Sequence, residues 1–369
     1  MKTLGLYIHI PFCVKKCNYC DFNSYGCSYS YEQPYFAALF EEIKTKSKDF
    51  SGYVCDTVYI GGGTPTSVKT ENITRLMGIL KENFSIAEGA EITIECNPKT
   101  AKKADFEEYL KAGINRLSIG LQSTHDRILK TLGRIHSLSD FEECLSDAKK
   151  AGFKNISLDL MFGLPDQSIE DFTETLAKVL TYDVSHISCY GLKVEEGTPF
   201  YNMELNLPDE DEEAKMYETA VEVLEKNGYL RYEISNFAKK GFKSKHNLKY
   251  WSLMPYLGLG AGAYSSIDGE RYSNSRPLSD YIKDSYKKED YISLSKEDLM
   301  SEFMFMGLRK TEGVSEAEFF ERFNTDIFSH FLEPLEKYIK QGVIIRKNGN
   351  IYINEKMLYI SNLILCDFV

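Results

Sequence analysis

The sequence predicts an α/β protein, in which a parallel sheet curls into a partial (β/α)6 barrel and a C-terminal winged-helix-like α+β module follows. Three observations predict this fold. Short apolar runs alternate with amphipathic stretches in the first half of the chain, as in βα units. Each run ends in a polar or glycine-rich break. After about residue 295 the pattern changes to helices and a hairpin. A doubly wound open sheet gives the same alternation, so periodicity leaves both arrangements open.

Six short apolar runs are the predicted barrel strands, and amphipathic stretches between them are the predicted helices. The strands are Leu4–Ile10, Thr57–Ile60, Glu91–Cys96, Arg116–Leu121, Ser157–Phe162 and His186–Leu192. The helices are Tyr35–Lys46, Thr70–Asn83, Asp105–Lys111, Ser139–Ala151 and Ile169–Leu180.

The βα rhythm fades after the sixth run. Leu207–Asn227 reads as one helix, because Pro208 lies near its start and Asn227-Gly228 marks its end. Tyr229–Ile234 is a further candidate strand, and residues 235–275, rich in Gly, Ser, Lys and aromatic residues, are predicted to be ordered loops.

The last part of the chain predicts a winged-helix-like module, expected to pack against the barrel rather than to bind DNA. Its predicted helices and strands are Ser295–Arg309, Ser315–Phe323, Ile327–Gln341, Val343–Lys347 and Asn350–Ile353. Asn348-Gly349 between the two strands is a strong hairpin signal. We therefore expect three parts: a core over 1–195, an extension over 196–290, and the C-terminal module over 291–369.

Composition excludes several classes of function. A net charge of −11 argues against general nucleic-acid binding, which needs a basic face. No run reaches the roughly 18–20 apolar residues of a membrane span. The nine cysteines form no regular disulfide framework, which favours a reducing compartment. We expect a cytoplasmic protein that meets a membrane only through an acceptor protein.

The first strand runs directly into Cys13, Cys17 and Cys20, at C-x3-C-x2-C spacing. Three thiolates on one short loop suit three corners of a [4Fe–4S] cluster and leave one iron open for an exchangeable ligand. A zinc loop and three incidental cysteines are the alternatives. Zinc usually takes four Cys or His ligands in paired spacing, and no second pair is present here. The sequence therefore favours the cluster.

Distinctive polar residues follow the other predicted strands. The second strand ends in Gly61-Gly62-Gly63-Thr64-Pro65, and Glu95, Gln122 and Asp159 belong to the next three. The carboxyl ends of parallel strands meet at one edge of a barrel, so these residues predict one ligand-binding rim. The glycines are expected to present free backbone N–H groups to a zwitterionic ligand, although a tight turn explains them equally.

The cysteine motif, set in Tyr7-Ile8-His9-Ile10-Pro11-Phe12-Cys13, resembles the radical S-adenosylmethionine (SAM) superfamily. The resemblance implies that the open iron chelates the amino and carboxylate groups of SAM. Reduction then gives methionine and a 5′-deoxyadenosyl radical. The residues that it implies as SAM contacts are Tyr7, Tyr19, Gly62, Gly63, Thr64, Glu95, Gln122, Arg134 and Asp159.

Within that superfamily the chain resembles the oxygen-independent coproporphyrinogen III oxidase-like branch. The decarboxylating oxidases carry a further Cys at the position of Phe22, and they have an N-terminal extension, whereas twelve residues precede Cys13 here. His246-Asn247-Leu248-Lys249-Tyr250-Trp251 fits H-N-x-x-Y-W, a signature of the HemW family of haem chaperones. Where relatives often have Arg before the His, this chain has Lys245, which keeps the charge but loses bidentate carboxylate binding.

The resemblance implies that His246, Asn247, Tyr250 and Trp251 contact haem. Imidazole is a common iron ligand, and aromatic faces pack on a porphyrin. A packed cap over the barrel is the structural alternative for the same residues. Nearby lysines suit haem propionates or form a solvated basic loop; these are Lys239, Lys240, Lys243, Lys245 and Lys249.

The leading hypothesis is therefore a haem chaperone that carries a [4Fe–4S] cluster, binds SAM and delivers haem to an acceptor such as a respiratory enzyme. The second is the oxygen-independent oxidase, which decarboxylates two propionates of coproporphyrinogen III. A third is a radical SAM enzyme with another substrate. The sequence leaves open the haem iron ligand, covalent attachment, SAM cleavage and a homodimer.

Overall fold

The computed structural model describes residues 2–369, and its centre is a 12-stranded sheet. The strands in chain order are β1 (Lys2–Ile10), β2 (Phe12–Cys13), β3 (Tyr25–Gly26), β4 (Tyr53–Gly62), β5 (Ile86–Cys96), β6 (Arg116–Gln122), β7 (Asn155–Phe162), β8 (His186–Gly191), β9 (Leu230–Arg231), β10 (Asn236–Ala238), β11 (Tyr256–Leu259), β12 (Tyr264–Ile267), β13 (Glu270–Asn274), β14 (Lys288–Ser293), β15 (Val314–Ser315), β16 (Ile344–Lys347) and β17 (Asn350–Ile353).

Helices connect these strands and form the C-terminal part. They are α1 (Glu32–Lys46), α2 (Thr70–Asn83), α3 (Lys103–Lys111), α4 (Asp126–Thr131), α5 (Leu138–Ala151), α6 (Ile169–Leu180), α7 (Glu210–Lys226), α8 (Lys245–Trp251), α9 (Leu278–Lys283), α10 (Lys296–Gly307), α11 (Glu316–Phe323), α12 (Phe328–Lys340) and α13 (Ser361–Leu365).

The order of the sheet settles which α/β arrangement the chain adopts. Strands β1, β4, β5, β6, β7 and β8 are neighbours in that sequence, and each pair is parallel. A doubly wound sheet reverses its strand order at a switch point, whereas here every new strand adds to the same side. The predicted partial (β/α)6 barrel is confirmed.

Local signals set the helix bounds that the sequence predicted. Ser137 and Ser168 cap α5 and α6 in capping boxes with Asp140 and Asp171. Gly152 ends α5 in the left-handed conformation, at φ 118°. Both helices turn an apolar face to the main hydrophobic core, which fixes the strand ends that carry the site.

The prediction of loops over residues 235–275 is wrong, since this stretch holds β10, α8 and β11–β13. Strand β11 lies parallel beside β1, with Leu6 opposite Leu257 and Ile8 opposite Leu259. Four residues that include a glycine are too short for a periodic signal, so pairing with β1 decides their conformation. Likewise, only Leu230–Arg231 of the strand expected over Tyr229–Ile234 forms, in a short antiparallel pair with β10.

The C-terminal part has its own hydrophobic core, built from residues between Met300 and Phe368. Its hairpin turns at Asn348 and Gly349, at φ 55° and 76°, as expected for a type I′ turn. Residues as far as Tyr281 pack in the barrel core. The three-part division of the chain remains a prediction. None of the helices over residues 2–369 is long and apolar enough to cross a membrane.

Candidate functional site

The cysteine loop is held rigidly at the carboxyl end of β1. Its middle is fixed by Asn18, whose backbone N–H donates to the carbonyl of Leu132 at 3.0 Å and whose Nδ2 donates to Thr131 at 2.9 Å. Phe200 N–H in turn donates to the carbonyl of Asn18 at 2.9 Å. These hydrogen bonds hold the middle of the loop against the end of α4 and against Phe200.

The three thiols of this loop face one cavity of about 310 Å³, which we call the cluster-side cavity. Cys13 is buried, whereas Cys17 and Cys20 are half-buried. Over residues 2–369 no three Cys, His, Asp or Glu side chains are gathered closely enough to hold a single metal ion.

The glycine run forms one wall of the cavity. The sequence predicts that its backbone N–H groups are free, but they donate to other residues of the protein. The N–H of Gly63 donates to Ile10 and that of Thr64 to Phe12, both at 2.8 Å. Gly62 N–H donates to Glu95 Oε2 at 3.0 Å. A Cβ on Gly62, which has φ 114°, would lie 2.5 Å from the His9 ring. The glycines are thus required by close packing in a tight turn, and their surface still lines the cavity.

Glu95 lies half-buried at the end of β5, and both of its carboxyl oxygens accept hydrogen bonds. Besides Gly62, it accepts a hydrogen bond from Tyr59 Oη at 2.8 Å. Burial raises the pKa of Glu95 to about 7. Its protonation therefore changes near neutral pH, which affects any ligand hydroxyl that donates to it.

Arg134 ties the cysteine loop to the rim. One Nη donates to Asn97 Oδ1 at 2.6 Å and to the Gly120 carbonyl at 2.5 Å, and the other lies 3.6 Å from Cys17 Sγ. Asn97 Nδ2 also donates to Thr64 Oγ1 at 2.7 Å. The buried Nε of Arg134 has no hydrogen-bond partner within the described chain, which leaves an unused donor beside the cavity.

Gln122 and Asp159 complete the wall. Tyr190 Oη donates to Gln122 Oε1 at 3.1 Å, and Ser118 Oγ donates to Asp159 at 3.2 Å. Burial raises the pKa of Asp159. Arg116, a fully buried cation at the start of β6, was not among the residues predicted from the sequence. The signal that could have found it is an arginine at the start of an apolar strand.

Most predicted SAM contacts therefore converge on the cluster-side cavity, and Tyr7 does not. The residues that line it are Tyr19, Gly62, Gly63, Thr64, Glu95, Gln122, Arg134 and Asp159. Tyr7 lines a neighbouring cavity of about 430 Å³ instead, where its hydroxyl is 3.0 Å from His9 Nδ1.

The H-N-x-x-Y-W residues lie on α8 and point in different directions. Asn247 lines the cluster-side cavity and Tyr250 the neighbouring one. Trp251 faces the C-terminal part, where the Arg309 guanidinium lies 5.7 Å from its ring centre. The motif therefore joins three regions of the molecule.

His246 itself is buried, and both ring nitrogens have protein partners. Nδ1 is 2.8 Å from Thr57 Oγ1, and Nε2 is 2.9 Å from Tyr250 Oη. Its ring stacks on Tyr59 at 5.3 Å, and burial lowers the pKa of His246 to about 3. In this structure the imidazole is a neutral bridge between the two cavities, with no free nitrogen for an iron ion.

The lysines near this motif do not face the cavities. Lys239 pairs with Asp183 at 2.5 Å, and the buried Lys249 pairs with Asp56 at 2.7 Å. Lys243 lies 5.7 Å from the centre of the Tyr232 ring. Lys240 and Lys245 line neither cavity. The solvated-loop interpretation fits the exposed Lys240, Lys243 and Lys245, whereas it does not fit the buried Lys249.

The neighbouring cavity is lined by aromatic rings, and we call it the tyrosine cavity. Its walls include Tyr7, Tyr250, Tyr256 and Tyr264, with Phe22 at the boundary and Arg276 at the rim. The two cavities share Phe22, Gly62 and Glu95. Tyr256, Tyr264 and Arg276 were not predicted from the sequence. The first two belong to the stretch 235–275 that was predicted to be loops, and Arg276 follows it directly.

Comparison with known proteins identifies the family. Residues 7–179 match the radical SAM superfamily, and residues 294–356 match the HemN C-terminal domain. The chain is 38% identical to "Heme chaperone HemW" of Bacillus subtilis strain 168, over 96% of both chains. It is 33% identical to the Escherichia coli K12 protein of the same name, over 96% of this chain and 97% of that one. The chain belongs to the HemW family.

Solved structures agree with this assignment at the level of the fold. The structure superposes on coproporphyrinogen III oxidase (HemN) of Escherichia coli, described as a radical SAM enzyme, with a TM-score of 0.88. The match covers 100% of this chain and 90% of that one at 23% identity. This chain and the oxidase therefore share one fold, and the fold by itself does not settle the function.

Proposed function

We propose that this protein is a haem chaperone that binds haem and passes it to an acceptor haem protein. The observation that carries the proposal is membership of the HemW family over almost the full length of the chain. Phe22 adds support, since it replaces with an aromatic ring the further cysteine that the sequence analysis expects in the decarboxylating oxidases.

Cys13, Cys17 and Cys20 are proposed to hold a [4Fe–4S] cluster. The donor set fits: three thiols on one fixed loop face a single cavity, and soft thiolates are the ligands that iron–sulfur clusters take. When bound, the cluster supplies an open iron for ligand exchange and an electron for transfer. The side chain of Arg134, 3.6 Å from Cys17 Sγ, would donate to the coordinating sulfur and tune that transfer.

SAM is proposed to bind beside the cluster in the cluster-side cavity. The cavity offers engaged but accessible acceptors in Glu95, Gln122 and Asp159 and a cation in Arg134, which suit a ligand with hydroxyls and both signs of charge. Glu95 would orient the ligand by accepting from ribose hydroxyls when it is ionised. Tyr19 and the Gly62–Thr64 surface would exclude water around it.

Haem is proposed to contact Tyr250 of the H-N-x-x-Y-W motif directly. His246 would hold Tyr250 in place through its hydrogen bond. Trp251 would hold α8 against the C-terminal part through its contact with Arg309. Acceptor haem proteins are the proposed partners, and a homodimer is an open alternative. We place the activity in the cytoplasm, because thiolate ligands such as Cys13, Cys17 and Cys20 persist in a reducing compartment.

The experiment is an anaerobic haem titration of the cluster-loaded protein, followed by absorbance. The same sample is then mixed with an apo-haem protein and, separately, with coproporphyrinogen III. Saturable binding of about one haem per chain, transfer to the apoprotein and no decarboxylation are expected. Decarboxylation to protoporphyrinogen would refute the chaperone and support the oxidase.

A further inference from the structure

The tyrosine cavity has no assigned ligand, although it opens beside the cluster-side cavity and shares Phe22, Gly62 and Glu95 with it. We infer that haem occupies this cavity, with one porphyrin face against the aromatic walls and a propionate on Arg276. The inference rests on the proposed function and names the place where the cargo sits.

The shape of the cavity suits a flat aromatic ligand. The rings of Tyr250 and Tyr256 pack edge to face, at an angle of 87° with centres 4.7 Å apart. They form a right-angled corner of the cavity, in which one wall is a ring face. Tyr7 adds a further ring, and its stacking on Tyr59 at 6.3 Å fixes its plane. Rings held in place in this way bind a planar ligand with little loss of side-chain entropy.

Arg276 supplies a positive charge for one haem propionate. Its backbone carbonyl accepts hydrogen bonds from Asn23 Nδ2 at 2.9 Å and Tyr25 Oη at 3.3 Å, so the base of the side chain is fixed. The side chain itself is exposed and makes no ion pair within residues 2–369. A free guanidinium on a fixed base is suited to bidentate binding of a carboxylate.

The other charged groups of the cavity leave this role to Arg276. Asp290 accepts hydrogen bonds from Tyr264 Oη and Ser273 Oγ, both at 3.0 Å. These two bonds hold its carboxylate against the β12–β13 side of the cavity. Asp21 lies at the opposite rim beside Phe22. His9 is neutral, since burial lowers its pKa to about 4. Among the described residues that line the cavity, Arg276 is therefore the one permanent cation.

Phe22 places the haem relative to the other site. It is 64% exposed although it is a large aromatic residue, and it lines both cavities. An exposed ring at such a boundary gains from covering by an apolar ligand. A porphyrin in the tyrosine cavity would cover it, and one edge of the macrocycle would then face Glu95 and Gly62 next to the SAM site.

The test compares haem with its dimethyl ester, which lacks the propionate charges, on the full-length cluster-loaded protein. Arg276→Ala is expected to weaken haem binding by about three- to tenfold and to change ester binding less than about twofold. Phe22→Ser is expected to weaken both ligands by about fivefold, since it removes apolar surface rather than charge.

Matched controls are an exposed arginine and an exposed phenylalanine of the C-terminal part. Arg346→Ala removes a guanidinium paired with Glu316, and Phe320→Ser removes a ring that is 57% exposed. Both are expected to bind haem and ester as the wild type does.

Two results would overturn the inference alone. One is wild-type haem affinity in both Arg276→Ala and Phe22→Ser. The other is an equal loss of haem and ester affinity in Arg276→Ala, which would remove the propionate contact. Absence of saturable haem binding by the wild-type protein would instead refute the proposed function, and the cavity assignment with it.

Discussion

The cluster-side cavity and the tyrosine cavity lie next to each other but have opposite chemistry. The first is walled by polar and charged side chains that already hydrogen-bond to one another, such as Arg134 to Asn97 at 2.6 Å. The second is walled by ring faces and has a free guanidinium at its rim. A fixed polar wall suits a small charged ligand, whereas ring faces suit a flat amphipathic one.

The difference shows how one barrel can separate a cofactor from a cargo. The strand ends of β4–β8 line the first cavity, whereas β1 and the later strands β11–β13 contribute Tyr7, His9, Tyr256, Tyr264 and Ser273 to the second. Each site can then be altered on its own, except at the residues that both share.

The largest expected effect lies on the cluster side. Cys17→Ser should reduce the iron bound after anaerobic reconstitution from about four per chain to near zero, because a hydroxyl is a poor replacement for a soft thiolate ligand. Iron analysis and the visible absorbance of the cluster measure this. Cys27→Ser is the matched control, since Cys27 is exposed and its thiol donates to Val14 at 3.0 Å. Retention of a full cluster by Cys17→Ser would contradict the ligand assignment.

His246 stands between the cavities, so its removal should disturb both. His246→Ala leaves Thr57 and Tyr250 without their partners and opens a void, and it should lower the free energy of unfolding by about 2–4 kcal/mol. Chemical denaturation measures this change. His330→Ala, at an exposed histidine of the C-terminal part, should change stability by less than about 0.5 kcal/mol. A stable His246→Ala that has lost only haem would point to an iron ligand instead of a bridge.

SAM binding is expected to depend on pH through Glu95. The carboxylate form of Glu95 accepts from ribose hydroxyls, and the pKa of Glu95 is raised to about 7 by burial. SAM affinity should therefore rise as the pH increases from about 6 to 8, by roughly tenfold for two hydrogen bonds to a charged group. Calorimetric titrations across this range measure it. Glu95→Gln should remove the rise, and an unchanged pH profile in that variant would exclude Glu95 as its origin.

The smallest effect is expected at the lysines behind the haem motif. Lys239→Ala should change haem affinity less than about twofold, because Lys239 pairs with Asp183 on an exposed surface. The haem titration described for Arg276→Ala measures this change in affinity. A loss as large as that of Arg276→Ala would return the propionate contact to the basic loop.

The sequence predicted the first cavity better than the second, for a physical reason. Buried parallel strands such as Ser157–Phe162 carry a continuous apolar signal, and their carboxyl ends meet at one edge, so the positions of Glu95, Gln122 and Asp159 followed from pattern alone. The partners of the Gly63 and Thr64 N–H groups did not, because the Ile10 and Phe12 carbonyls reach them through packing rather than through sequence spacing.

The tyrosine cavity depends on pairing between distant parts of the chain. Tyr256 is brought beside β1 by a four-residue strand that lies opposite Gly5–Ile8. Its conformation is decided by that pairing, which no local periodicity encodes. The same holds for His246, whose contact with Thr57 joins residues that are 189 positions apart.

The measurement that tests the central claim most directly is a haem titration of the cluster-loaded protein with and without saturating SAM. Two adjacent cavities for two ligands predict about one haem per chain in both titrations, with affinities within about tenfold of each other. Stoichiometric displacement of haem by SAM would contradict the account, because the two ligands would then share one cavity.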